Sequence, residues 1–417
     1  MGVWQEQLLL ERAFDEQLRG ECGGKLVMVD NVGYSQREEE WISSYSGQDI
    51  FLTIDARIQS VAEKALRSVS PTVQGSAVVL DALSGDILAM ASMPSYNPNL
   101  FIPGINSESW AVYNDPKTMP TVCRATYAQY APGSIFKIVV GLAALENGLD
   151  PTRQIHCQGY TMVGKRRIND TAPADDYDFT LAFMRSSNDY FIQVGRECGI
   201  DSILSMGEQF FLGKKTEIPT CQDVGGFLPT KAYVDEQKIQ REWMDGHTAN
   251  ICIGQGDLTV TPLQMAIMTA AVANGGTVFY PRLVTRLETR DENNPLPGVN
   301  YQKGRVRGRL QVRPENLRII QDAMLADVED ARGTGKAAWI KGFRVCGKTG
   351  TAEVKRGSIL ERKDTWFASF APYEQPRYVV VVLVEKGASG GKTCAPVARQ
   401  IYETLLQIEQ GVWKGKI

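Results

Sequence analysis

The run Tyr378-Val379-Val380-Val381-Val382-Leu383-Val384 constrains the fold more than any other segment. It has no polar position and no period-two alternation. β-branched side chains favour an extended backbone, and a strand apolar on both faces must be covered on both. The run is therefore expected as a central strand. Its partners are legible. Thr365 to Ala371 precedes it across a turn holding Pro372 and Pro376. Far upstream, Ala77 to Leu80 and Ile87 to Ala91 flank the turn Asp81 to Gly85 and read as a hairpin. Two amphipathic helices are on hand to cover a face: one with Ile58, Val61, Ala62, Ala65 and Leu66, and a last helix opening at Pro396 with Val397, Ile401 and Leu405 on one side. Another strand is expected at Phe51 to Asp55.

Between these ends lies a largely helical middle, about 134–275, followed by a strand-rich stretch around 277–312. Thr261-Pro262-Leu263-Gln264 carries a capping-box pattern with proline at the first turn. Sheet elements at both ends with helices between them predict an antiparallel sheet closed by non-local pairing, an α/β arrangement. Residues 1–50 are charged and irregular. A short helix from Leu8 to Leu18 and a strand from Leu26 to Val29 are expected there, in a region too small for its own core.

Composition excludes several classes. The chain has 417 residues, 43% hydrophobic and 22% charged, with a formal net charge of -3. This is a globular profile with no basic excess to suggest nucleic acid. No stretch approaches about 20 continuous apolar residues, so no transmembrane helix is expected. The start, Met1 to Gln7, lacks a basic segment followed by an apolar one and does not read as a signal peptide. Eight cysteines are scattered without a C-x-x-C pair and read as free and mostly buried. His156 beside Cys157 is weak evidence for a partial metal site. With His247, His156 completes the histidine count, and neither has a recognisable catalytic setting. A nucleophilic serine here would need lysine as its base.

Ser134 and Lys137 fit that need. They lie three apart in Tyr130-Ala131-Pro132-Gly133-Ser134-Ile135-Phe136-Lys137, at the expected start of a helix with Ile138, Val139, Leu142 and Leu145. Residues three apart share a helix face. Helix N–H groups there favour developing negative charge. A buried, deprotonated lysine could activate the hydroxyl. Spacing alone is weak, because Ser389-Gly390-Gly391-Lys392 repeats it in a Gly/Ser-rich loop. The plain reading of Ser134 is a helix N-cap followed by a surface lysine.

Acyl transfer also needs donors for an oxyanion and an acid for the leaving group. Ser186-Ser187-Asn188 gives Ser-x-Asn between two expected helices, where polar turn residues are the plain alternative. A similar Ser95-Tyr96-Asn97 is bracketed by Pro94 and Pro98. Lys348-Thr349-Gly350 occurs once, after a short expected strand. Lys348 and Thr349 could hold a carboxylate, with Gly350 allowing close approach of a bound backbone. The plain reading is an exposed edge strand protected by a lysine.

Ser-x-x-Lys, Ser-x-Asn and Lys-Thr-Gly, in that order, form the signature of the active-site serine penicillin-recognising enzymes. From about residue 51 to 407 the chain resembles the transpeptidase domain of a class B penicillin-binding protein, most like the elongation type. Gly47 to Asp55, Leu80 to Pro94, Gly254 to Ala266 and Trp366 to Pro372 carry the likeness, as do Gly246-His247-Thr248 and Ala395 to Arg399. The resemblance implies a penicillin-binding transpeptidase (β-lactamase-like) fold: a central antiparallel sheet flanked by helices, with an inserted all-helical lobe. It divides the chain into 1–50, a remnant of an N-terminal pedestal module, and 51–417, the transpeptidase domain.

The resemblance also implies roles. Ser134 attacks the carbonyl between two terminal D-alanines of a peptidoglycan stem peptide, and Lys137 takes its proton. Ser186 relays a proton to the departing D-alanine, Asn188 positions substrate and Lys137, and Lys348 tunes the field near Ser186. Thr349, Gly350 and Thr351 meet the substrate carboxylate or its β-lactam equivalent. Backbone N–H groups of Ser134 and Thr351 form the oxyanion hole. An amine from a neighbouring stem peptide completes the crosslink, with no metal or organic cofactor. The implied partner is a membrane glycan polymerase of the elongation machinery. The implied place is the extracytoplasmic face of the bacterial inner membrane, with the anchor outside this chain. Two departures stand out: Cys123 replaces the family's asparagine before Arg124-Ala125, and Asp170, Asp175, Asp176 and Asp178 occupy a stretch where the family often carries histidine-glycine. The rival outcomes are a carboxypeptidase or β-lactamase using the same serine, and a non-catalytic β-lactam sensor or scaffold.

Overall fold

The computed structural model describes residues 9–220, 222–229, 243–356 and 359–415. Five strands form the central sheet: β1 (Gly75–Asp81), β2 (Ile87–Met93), β3 (Cys346–Arg356), β4 (Ile359–Ala371) and β5 (Tyr378–Glu385). Their order is β3-β4-β5-β1-β2 and every pairing is antiparallel. The all-apolar strand is central, as its composition requires. Val380 lies opposite Ser369 on one side and Val79 on the other. The expected short strand at Val345 and Cys346 is the start of an eleven-residue edge strand.

The helices that matter for the site are α1 (Ala56–Arg67), α2 (Lys137–Glu146), α3 (Asn188–Cys198), α4 (Pro262–Ala273), α5 (Pro314–Glu329) and α6 (Ala395–Glu409). They sort onto two faces. Val379, Val381 and Leu383 share a core with Ile138 of α2, Leu263 of α4 and Ile320 of α5. Val380, Val382 and Val384 share the other with Leu66 of α1 and Ile401 of α6. Each such side chain contributes roughly 1.5–3 kcal/mol when fully buried. The capping box of α4 forms as expected: Gln264 N donates to Thr261 Oγ1 at 3.2 Å, and Thr261 N to Gln264 Oε1 at 2.9 Å.

Three local differences have physical causes. The lobe expected as all-helical also holds two small antiparallel pairs, Ile155–Cys157 with Asp175–Tyr177 and Tyr160–Val163 with Arg166–Asn169. These strands are only three or four residues long and half exposed, too short to show an apolar period. The N-terminal helix breaks at Phe14, which is buried against Val284 and Leu287. The strand Gly24–Val29 has a partner, Ser35–Ile42, hidden from sequence reasoning by its charge run. Asp49–Leu52 pairs with Val284–Glu288, tying this region to the strand-rich stretch.

Truncating the central strand should leave a cavity that two helical layers cannot close. Leu383→Ala is expected to lower the unfolding free energy by about 2–5 kcal/mol, read from the urea midpoint.

Candidate active site

Ser134 lies on a 3-10 turn, Gly133–Phe136, that runs directly into α2. It is not an N-cap. The turn is gripped from several sides. Tyr130 exchanges two backbone hydrogen bonds with Val260, both 2.9 Å. The Tyr130 hydroxyl donates to Glu385 Oε1 at 2.8 Å, where the fully buried Arg124 also donates at 3.0 Å. Trp366 Nε1 donates to Ala131 O at 3.0 Å. Gly133 has φ +54°, and a Cβ there would sit 2.8 Å from Thr351 O. Glycine thus lets the Ser134 turn lie directly against β3.

Lys137 has no solvent exposure. Its Nζ donates to Ser186 O at 2.7 Å and Asn188 Oδ1 at 2.8 Å, and lies 3.4 Å from Ser186 Oγ. The Phe191 ring centroid is 5.5 Å away. Burial, and then the charge of Lys348, push this amine well below the ordinary lysine value, against the pull of Asp170 and Cys252. The surface-lysine alternative is excluded.

The Ser-x-Asn turn is held by residues that sequence reasoning did not select. Ser186 has φ +58°, a conformation that costs a non-glycine residue about 1–3 kcal/mol. Asp170 braces the turn: one carboxylate oxygen accepts from Asn188 N at 2.5 Å, the other from Ser187 Oγ at 2.6 Å and Asp189 N at 3.1 Å. Thr171 Oγ1 donates to Ser186 O at 2.6 Å, the same carbonyl that Lys137 uses. Asp170 therefore sits at the start of α3, where helix N–H groups favour a carboxylate. The only available signal was its place in an acidic stretch that departs from the family pattern.

Lys348 is also fully buried, which excludes the exposed edge-strand alternative. Its Nζ donates to Thr349 O at 3.2 Å and lies 5.3 Å from the Phe183 ring centroid. Burial lowers its proton affinity and Asp327 opposes the effect. Asp327, on α5 and likewise unexposed, accepts from Thr334 N at 2.8 Å, Thr334 Oγ1 at 2.6 Å and Thr349 N at 3.4 Å. Burial pushes its carboxyl up, against Lys348 and these donors. Thr334 Oγ1 and Thr349 Oγ1 are 2.5 Å apart. A buried aspartate on a helix 21 positions before Lys348 has no sequence signature.

Ser134, Ser186, Asn188, Thr349, Gly350 and Thr351 line one cleft of about 830 Å³. Gly350 also faces the Ser134 turn. A Cβ there would point at Pro132 O, Ile135 and Trp366, 3.1–3.2 Å away. Its missing side chain makes room for the nucleophile turn. Ser389, Gly390 and Gly391 reach the same cleft, but Lys392 is exposed and Ser389 Oγ only accepts from Lys392 N at 3.3 Å. His156 pairs with Asp176 on the surface at 2.7 Å, and His247 Nδ1 accepts from Met244 N at 3.0 Å. Neither histidine lines the cleft. Seven cysteines are free, five of them buried, and Cys221 lies outside the described residues. Among the described residues no group of three or more His, Cys, Asp or Glu side chains could hold a metal ion.

A buried amine whose proton affinity is lowered, hydrogen-bonded to the Ser186–Asn188 turn in the cleft that Ser134 lines, is the arrangement of a serine acyl-transfer site without histidine. Comparison with known proteins agrees. Residues 75–403 match the penicillin binding protein transpeptidase domain. The chain belongs to that family. It is 31% identical to the peptidoglycan D,D-transpeptidase MrdA of Haemophilus influenzae over 96% of its own length and 62% of that protein's. A penicillin-binding protein, PBP2, from Helicobacter pylori, solved in complex with MreC, superposes with a TM-score of 0.80 at 25% identity, covering 96% of this chain and 72% of that one. Penicillin-binding protein A of Mycobacterium tuberculosis, solved as a ceftriaxone acyl-enzyme, gives 0.75 at 28% identity, covering 86% and 80%. Among the described residues, no helix is long and apolar enough to cross a membrane.

The two charges flanking Lys137 should move its titration in opposite directions. Lys348→Met removes a cation, so Lys137 keeps its proton to higher pH and the acid limb of Ser134 acylation moves up. Asp170→Asn removes an anion and moves that limb down. Rates of acylation against pH for the two variants read both signs.

Proposed function

We propose that the chain is the catalytic part of a peptidoglycan D,D-transpeptidase that β-lactams acylate and inhibit. The observation that carries this reading is Lys137, buried and shared between Ser186 and Asn188 in the cleft that holds Ser134. In the proposed cycle Ser134 Oγ attacks the carbonyl joining two D-alanines, and its proton passes to Lys137. The oxyanion is met by the Ser134 and Thr351 N–H groups, consistent with the contact between the Gly133 turn and β3. Ser186, 3.4 Å from Lys137 Nζ, carries a proton to the departing D-alanine nitrogen as the C–N bond breaks. Thr349 and Thr351 hold the terminal carboxylate, and Lys348 supplies positive charge behind them. An amine from a second stem peptide then attacks the ester, returns its proton through the same groups and frees Ser134.

The chain spans 62% of the length of the Haemophilus influenzae relative. Crosslinking in the cell, at the extracytoplasmic face of the inner membrane beside a glycan polymerase, is therefore assigned to the whole protein. The complex of the Helicobacter pylori PBP2 with MreC supports a place in cell-wall assembly. A hydrolase reading needs a base for deacylation. Of the two carboxylates lining the cleft, Asp170 has both oxygens engaged by backbone and hydroxyl donors, and Glu353 is exposed. A long-lived acyl-enzyme follows.

Intact-protein mass spectrometry after incubation with benzylpenicillin should show one adduct, lasting many minutes in buffer, and none on Ser134→Ala. An adduct on the variant would sink the assignment of the nucleophile. Rapid turnover of the penicillin would favour a β-lactamase.

A further inference from the structure

The wall of the cleft that carries Ser186 and Asn188 has a charge the proposed cycle does not use. Four cationic residues are among those that line the cleft, Arg166, Arg167, Arg185 and Lys363, against two acidic ones, Asp170 and Glu353. This local excess stands out in a chain of net charge -3. Asp170 is turned inward onto the α3 start and cannot neutralise the rim. Arg185 immediately precedes Ser186 and is half-buried; its charge is felt by Tyr177, and its guanidinium has no ion pair or hydrogen bond among the described residues. The Arg166 guanidinium is likewise unpaired, on a strand whose last residue accepts from Asn188 Nδ2, at Asn169 O, 3.2 Å. Arg167 is held in place, its Nε donating to Asn169 Oδ1 at 3.1 Å and its guanidinium 3.9 Å from the Tyr160 ring centroid.

A single terminal carboxylate at Thr349 and Thr351 leaves this opposite wall unmatched. Guanidinium groups bind carboxylates through paired charge-assisted hydrogen bonds, and a half-buried one gains more than an exposed one. A cleft lined by one sign of charge also concentrates ligands of the other. We propose that Arg185 and Arg166 form a subsite for a second carboxylate, carried on the acyl-donor side of the substrate, upstream of the bond that Ser134 attacks. The preferred donor is thus a peptide with a free acidic group near its reactive end, in addition to its terminal carboxylate. This inference rests on the acyl-transfer reading and deepens it.

Benzylpenicillin and carbenicillin differ by one carboxylate on the acyl side chain, so together they isolate the subsite. The ratio of their acylation rate constants, carbenicillin over benzylpenicillin, should fall about 10-fold in Arg185→Gln. It should fall in Arg166→Gln as well, fall less in Arg185→Lys, which keeps the charge but not the paired hydrogen bonds, and decrease with added salt in the wild type. A ratio unchanged in both glutamine variants would overturn the subsite. Equal loss for both penicillins would also overturn it, by assigning Arg185 a role in holding the turn. If the wild type is acylated by neither penicillin, the acyl-transfer reading itself fails and the subsite with it. Arg166 is exposed on a hairpin, so its substitution tests the subsite even if Arg185→Gln does not fold.

Discussion

The site depends on one constraint: the amine of Lys137 is kept entirely out of water. An isolated buried ammonium is expensive, so the amine either sheds its proton or finds compensating partners. Here it has two strong acceptors, Ser186 O and Asn188 Oδ1, and a cationic neighbour in Lys348. The acceptors hold the amine in place whichever form it takes, while burial and Lys348 favour the neutral form. Presenting the Ser186 carbonyl to Lys137 goes with a left-handed backbone at Ser186, braced by Asp170 and Thr171. The loop around Asp170 therefore sets the shape of the turn that holds Lys137.

A second buried pair mirrors the first. Lys348 on β3 and Asp327 on α5 are both unexposed, and Thr349 joins them through its N–H and its hydroxyl contact with Thr334. The result is two buried lysines, Lys137 and Lys348, each opposed by an acid, Asp170 and Asp327. Each acid opposes the loss of the proton on its neighbouring lysine, and each lysine discourages the charge on the other. Three of the four, Lys137, Lys348 and Asp327, are fully buried, where solvent screens a charge least.

How much of this was legible in the sequence follows from what each element owes to local pattern. The central sheet was readable because Tyr378 to Val384 can only be a doubly covered strand, and the capping box of α4 because Thr261 and Gln264 act within one turn. The three segments that meet in the cleft were readable because each is a short motif. What stayed hidden depends on distant chain. Asp327 meets Lys348 only through the packing of α5 under β3. The strand Ser35–Ile42 carries Arg37 to Glu40 and shows no apolar period. The closeness of Gly350 to the protein's own Pro132–Ile135 turn is likewise a tertiary contact with no local pattern.

The duplicate motif at Ser389 and Lys392 shows why spacing was never sufficient. It has the same Ser-x-x-Lys pattern, and its loop even reaches the same cleft. Yet Lys392 is exposed, with its ammonium in water rather than under the sheet. Its serine is spent on capping a turn. Gly390 and Gly391 are there for fit: a Cβ at Gly390 would fall 2.1 Å from Trp366 O, and one at Gly391 2.1 Å from Thr334 O. That loop is shaped to close the wall behind β3. Ser134 and Lys137 differ from it in a single physical respect that matters for chemistry: the helix following them is apolar all round, and it carries the lysine inside with it.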